Sequence, residues 1–94
     1  MNVALLSLRF HLSGCTSLKE KRGRLRGLKD RFGRQSNLAV CEAADADALD
    51  RAEWWFVACA ADRRIVEKML TEVERDVQDR VDAEVVDVHR EWLT

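Results

Sequence analysis

From Val3 to Leu12 the chain alternates apolar and polar positions. Ala4, Leu6, Leu8, Phe10 and Leu12 fall on one side, and Ser7, Arg9 and His11 on the other. A period of two predicts a strand with one face fully buried, and Val3 and Leu5 make the second face partly apolar near its start. Ser13 and Gly14 break the strand. Ser17-Leu18-Lys19-Glu20 then has the form of a capping box, in which the serine hydroxyl accepts from the N–H of Glu20 and the glutamate reaches back to the N–H of Ser17. The helix that follows carries the stripe Leu18, Leu25, Leu28 and Phe32 and closes at Gly33.

Leu38 to Ala43 reads as a short strand and Ala44 to Asp50 as an acidic connector. Ala52 to Ala60 is a second apolar run, too short and aromatic to favour a helix. Asp62 is placed to cap a second helix with the stripe Val66, Met69, Leu70, Val73 and Val77, running to about Arg80. Ala83 to Trp92 contains a closing strand. The order β-α-β-β-α-β, with one apolar stripe on each helix, predicts a ferredoxin-like α+β sandwich: two crossover helices covering one face of a four-stranded sheet. All 94 residues fit one such domain, with one core.

Composition adds little until charge is mapped along the chain. The net charge of −1 argues against a wholesale polyanion binder. Yet residues 18 to 34 hold eight basic and two acidic residues, a net of +6, while residues 35 to 94 hold seven basic and fifteen acidic, a net of −8. On a helical wheel Lys19, Arg26 and Arg34 project away from the apolar stripe, with Arg24 and Arg31 on one flank and Arg22 on the other. Lys21 falls within the stripe, where its ammonium is expected to snorkel outwards. Gly23 and Gly27 lie on the solvent side, one turn apart, and would let a phosphate backbone approach closely. Lys19, Arg22, Arg24, Arg26, Arg31 and Arg34 are therefore the candidate nucleic-acid contacts.

Trp54 and Trp55, adjacent in a strand, must point to opposite faces of the sheet. One indole then lies on the face without helices, and Val3, Leu5 and Trp55 are the candidate oligomer interface, with Cys41 or Val40 alongside. Homodimerisation through that face is expected in preference to a base-stacking platform on it.

Other chemistry has less support. Cys15, Cys41 and Cys59 form no C-x-x-C, so no metal site is expected; Cys41 and Cys59 read as small hydrophobes, and reduced cysteines suit a cytoplasmic protein. Leu12-Ser13-Gly14-Cys15 has the form of a lipoprotein cleavage site, but Arg9 and His11 interrupt the apolar stretch such a signal needs. No apolar run is long enough to span a bilayer, and no membrane partner is expected. His11 and His89 lie on strands expected to be neighbours, so an enzyme built around them is a third reading, although no nucleophile–base pairing or phosphate loop accompanies them. Asp45, Asp47 and Asp50 lack the spacing of a calcium loop. A non-enzymatic chain with no cofactor is the expectation.

The string Ser17-Leu18-Lys19-Glu20-Lys21-Arg22, with the first strand, Val40-Cys41-Glu42 and the Asp47 to Ala52 stretch, resembles the YlxP-like family, a bacterial domain of unknown function (number 503). The resemblance covers essentially the whole chain and implies a ferredoxin-like fold. It implies no activity, since the family has none established. The genes beside its members, for transcription elongation, translation initiation and ribosome maturation, point to an RNA or ribosome setting. Ser17, Lys19, Lys21 and Arg22 carry the family motif, with Glu42 and Asp47 as weaker matches. Trp55 departs from it, since relatives are expected to have a small residue there. The resulting expectation is a module docking its basic helix on structured RNA or the ribosome. The alternative is a homo-oligomer or adaptor that binds no RNA.

Overall fold

The computed structural model describes residues 1–94 and has the predicted order: β1 (Asn2–His11), α1 (Leu18–Phe32), β2 (Leu38–Ala44), β3 (Arg51–Ala60), α2 (Arg63–Arg80) and β4 (Glu84–Trp92). The strands form one sheet in the order β2-β3-β1-β4, with every neighbouring pair antiparallel. This is the ferredoxin-like sandwich, its two helices on one face.

The alternation read in β1 sets the layers. Ala4, Leu6, Leu8, Phe10 and Leu12 are all buried beneath the helices. Ala4, Leu6, Leu8 and Phe10 pair with Ala58, Phe56, Trp54 and Ala52 of β3, and these four join the same core with Ala60. Phe32 at the end of α1 meets Phe56 edge-to-face, with ring centroids 5.8 Å apart, an arrangement aromatic quadrupoles favour. From α2 the core receives Val66, Leu70, Val73 and Val77, with Met69 only half-buried. Asp62 caps this helix as expected, accepting from the N–H of Arg64 at 2.8 Å. The Arg64 side chain and that backbone bond hold its carboxyl below the ordinary carboxylate range. Arg90 of β4 binds Thr71 and Glu74 of α2, each at 3.2 Å, and Arg63 stacks 3.8 Å above the ring of Trp92.

The capping box of α1 differs in one bond. Ser17 Oγ accepts from Glu20 N at 3.0 Å, but Glu20 Oε2 accepts from the N–H of Thr16, at 3.3 Å, rather than from Ser17. Ser17 is extended (φ −152°), and the glutamate satisfies the donor one residue earlier. The acidic connector also differs from a plain solvated loop. β2 runs on to Ala44 with a bulge before it, and Asp45 follows in the left-handed region, at φ 63°.

Candidate nucleic-acid interface

Lys21 organises this end of the molecule. The apolar stripe of α1 leaves a seven-residue gap between Leu18 and Leu25, and Lys21 fills it at 3% exposure. Its ammonium does not snorkel to solvent. It turns under the β2–β3 loop and donates to the carbonyl oxygens of Asp45 at 2.7 Å, Ala48 at 2.8 Å and Ala46 at 3.4 Å, with the Glu42 carboxylate 3.6 Å away. A buried charge persists only when it is paired and hydrogen-bonded, and these groups supply both needs. The loop is thereby pinned beside the helix.

The six cations expected to contact nucleic acid divide into two sets. Arg24 Nε lies 3.1 Å from Asp82 Oδ2, and its Nη2 donates to the Ser13 carbonyl at 2.9 Å. The hydrogen bond to Asp82 raises the Arg24 pKa further above its ordinary value. Arg31 Nε lies 2.7 Å from Asp76 Oδ2 of α2. These two arginines tie α1 to the rest of the fold, and they leave the candidate contact set for that reason. Gly27 belongs to the same flank: a Cβ there would meet the Arg31 guanidinium at 2.8 Å, so the missing side chain makes room for the tie rather than for a phosphate. Gly23 remains open, with nothing within 4 Å of a Cβ.

Lys19, Arg22, Arg26 and Arg34 are exposed, as is Lys29, and none of the five forms an ion pair. Lys19, Arg22, Arg26 and Lys29 recur at intervals of three, four and three residues. That spacing keeps them within about 80° of one another over about 15 Å of helix. They form one wall of a groove of about 780 Å3 between α1 and the β2–β3 loop. Leu18, Leu25 and Trp54 also line it, and Glu42 and Asp47 stand on the loop side. Asp30 joins the helical wall near its end without pairing to any of the cations.

The open face of the sheet carries the other candidates. Trp55 is the outward indole, 40% exposed, while Trp54 is buried at 8%. Cys41 is opposite Trp55 in the register, whereas Val40 pairs with Phe56 on the core side. Val3 is half-buried on this face, but Leu5 is already at 7% exposure and has little left to bury in an interface. The Trp55 indole donates to Glu53 Oε2 at 2.8 Å, and Arg9 Nε reaches the other carboxylate oxygen at 3.1 Å. These bonds, that of Trp55 first, hold the Glu53 carboxyl below its ordinary range. Cys41 and Cys59 also lie on this side, exposed and half-buried respectively, so neither is a core residue as the apolar runs suggested.

His11 and His89 share the face but not a site. His89 is opposite Ser7 and His11 opposite Glu84, a separation of four residues, or about 13 Å along the strand. Each stands near its own glutamate, His11 at 3.9 Å from Glu84 and His89 at 3.6 Å from Glu91. In the connector, Arg51 takes up Asp45 at 3.5 Å and Asp50 at 3.2 Å, leaving Asp47 free. No group of three histidines, cysteines or carboxylates stands close enough to hold a metal ion. No helix is long and apolar enough to cross a membrane.

Solved structures share the architecture at low identity. A structural-genomics protein, YjcS, superposes with a TM-score of 0.61 at 12% identity, over 95% of this chain and 96% of that one. A candidate antibiotic biosynthesis monooxygenase from Bordetella bronchiseptica gives 0.56 at 14%, over 97% and 96%. A candidate chlorite dismutase gives 0.59 at 7%; there, 98% of this chain spans 42% of the longer one. At these identities the likeness shows the fold alone. No curated protein matches the chain. The family model described as a protein of unknown function, DUF503, matches residues 3–90, and the chain belongs to that family.

Proposed function

We propose that this protein is a non-catalytic binding module of the cytoplasm that docks α1 on structured RNA or a ribonucleoprotein. The observation that carries the reading is the unpaired cationic row: Lys19, Arg22, Arg26 and Lys29 along one edge of the helix, extended by Arg34 beyond its end. A solvated helix usually interleaves both signs and pairs them at i,i+4. Here Arg24 and Arg31 are tied to Asp82 and Asp76, while the row pairs with no carboxylate, not even Asp30 and Asp47 beside it, and is open to an external polyanion. Phosphate contacts of this kind release counterions, so affinity for a ribosomal RNA fragment is expected to fall steeply and linearly in log–log form with salt. Binding that is absent, or indifferent to salt, overturns the reading.

A second reading rests on Trp55, whose exposed ring stands opposite Cys41 and Ser7 on the uncovered face, with Val57 two residues along its own strand. A homodimer joined there would bury this apolar patch. Sedimentation of Trp55→Glu beside the natural chain tests it: a dimer converted to monomer supports the reading, and a natural chain that is monomeric at high concentration contradicts it.

A further inference from the structure

The groove beside the cationic row has two unlike walls and an unusual floor. On the helix side stand four unpaired cations, with Asp30 near the end of the row; on the loop side stand Asp47, which has no partner, and Glu42, shared with Lys21. Between them Leu18, Leu25 and Trp54 supply an apolar floor. Trp54 is more than nine-tenths buried; its indole N–H, closed off from the groove, has no hydrogen-bond partner, nor have three guanidinium nitrogens of Arg24 and Arg31.

The two walls restrict what fits. A simple anion or an anionic lipid would suit the cations but be repelled by Asp47 and Glu42. A small zwitterion would satisfy one cation and leave three. The site calls for a ligand with several anionic groups in a row, a flat body and its own N–H donors on the side away from the charge. A nucleic-acid strand with an unpaired base has all three. Its phosphates would follow the row, its ring would lie over the apolar floor beside Trp54, and its edge would offer N–H groups to Asp47. Bases held in a duplex present neither a free face nor a free pairing edge.

We infer that the groove between α1 and the β2–β3 loop is the seat of one unpaired nucleotide of a bound RNA strand. The inference rests on the RNA reading above and adds to it a requirement for single-stranded character. Lys21, by pinning the loop carbonyls, acts as a positioning residue that keeps Asp47 opposite the cationic wall.

The test uses the natural chain labelled with 15N, in which three indole N–H resonances report separately on Trp54, Trp55 and Trp92. Trp54→Phe identifies its own peak by deletion. A mixed-sequence single-stranded RNA hexamer is expected to move the Trp54 indole resonance while leaving those of Trp55 and Trp92 in place. A fully paired duplex with the same number of phosphates is expected to bind through the row without moving Trp54. Asp47→Asn is expected to weaken the single strand by about tenfold and the duplex not at all. If both RNAs bind and Trp54 stays still, or moves equally with both, the nucleotide seat is wrong while RNA binding stands. If neither RNA binds at low salt, the RNA reading fails and the seat fails with it.

Discussion

On one flank of α1, Arg24 and Arg31 reach across to Asp82 and Asp76; on the other, Lys19, Arg22, Arg26 and Lys29 face a groove and reach no carboxylate. Residue type does not separate the two sets, since both contain arginines on the same fifteen-residue helix. Position on the wheel does. The tied flank is turned toward α2 and the α2–β4 loop, which offer acids at the right height. The free flank lies over the outer strand, near a loop whose carboxylates are mostly taken up, Asp45 and Asp50 by Arg51 and Glu42 by Lys21. A high local charge is thus partly structural and partly free, and only the free part is available to a partner.

The sharpest way to break this division is through Lys21, which sits between the flanks. Replacing it by methionine keeps the volume but leaves Glu42 and three loop carbonyls without their cation. A loss of about 3 kcal/mol is expected in chemical denaturation, near the lower end for breaking a buried pair because Glu42 keeps some solvent. A change within about 0.5 kcal/mol would mean that the loop does not depend on it. The flanks themselves separate in Arg31→Gln, expected to lower stability by about 1 kcal/mol, as a partly exposed ion pair would.

Glycine sharpens the contrast further. Gly23→Ala should stabilise the helix by up to about 1 kcal/mol, since nothing stands near a Cβ there. Gly27→Ala should gain less or nothing, because its methyl group would displace the Arg31 guanidinium. Equal gains in thermal unfolding would deny that Gly27 serves the tied flank.

The smallest effect lies on the open face, where Glu53 is an engaged anion as Arg24 is an engaged cation. Its folded-state pKa is depressed, so its contribution to stability is present above the unfolded carboxylate range and is lost as pH falls through the folded value. Trp55→Phe removes the larger cause and should move the Glu53 titration upward, read by carboxyl NMR. An unchanged titration would assign the shift to Arg9 alone.

The elements and their order were legible because each rests on local signals: the alternation in β1, the box at Ser17, the stripe in α2. The orientation of the tryptophans was half legible. Adjacency put them on opposite faces, and Glu53 in phase with Trp55 marks the odd positions as the wetter side. Lys21 was legible as an anomaly, a charge in an apolar stripe, but its solution depends on carbonyls 24 to 27 residues away that come under it only when the sheet forms. The split of the cations was not legible. Asp76 and Asp82 lie 45 and 58 residues beyond their partners, and a wheel knows nothing of what stands opposite it. The orphan indole N–H of Trp54 likewise belongs to the packed core and has no signature in the sequence.

The most direct test of the division compares salt dependence of RNA binding in two double variants. For Arg22→Gln with Arg26→Gln, the slope of log affinity against log salt is expected to fall by about 2, near the value for two lost phosphate contacts, with stability almost unchanged. For Arg24→Gln with Arg31→Gln, the slope is expected to match the natural chain while the thermal midpoint drops. Equal loss of slope in both variants would contradict the account, because it would mean that the tied flank meets the RNA as fully as the free one.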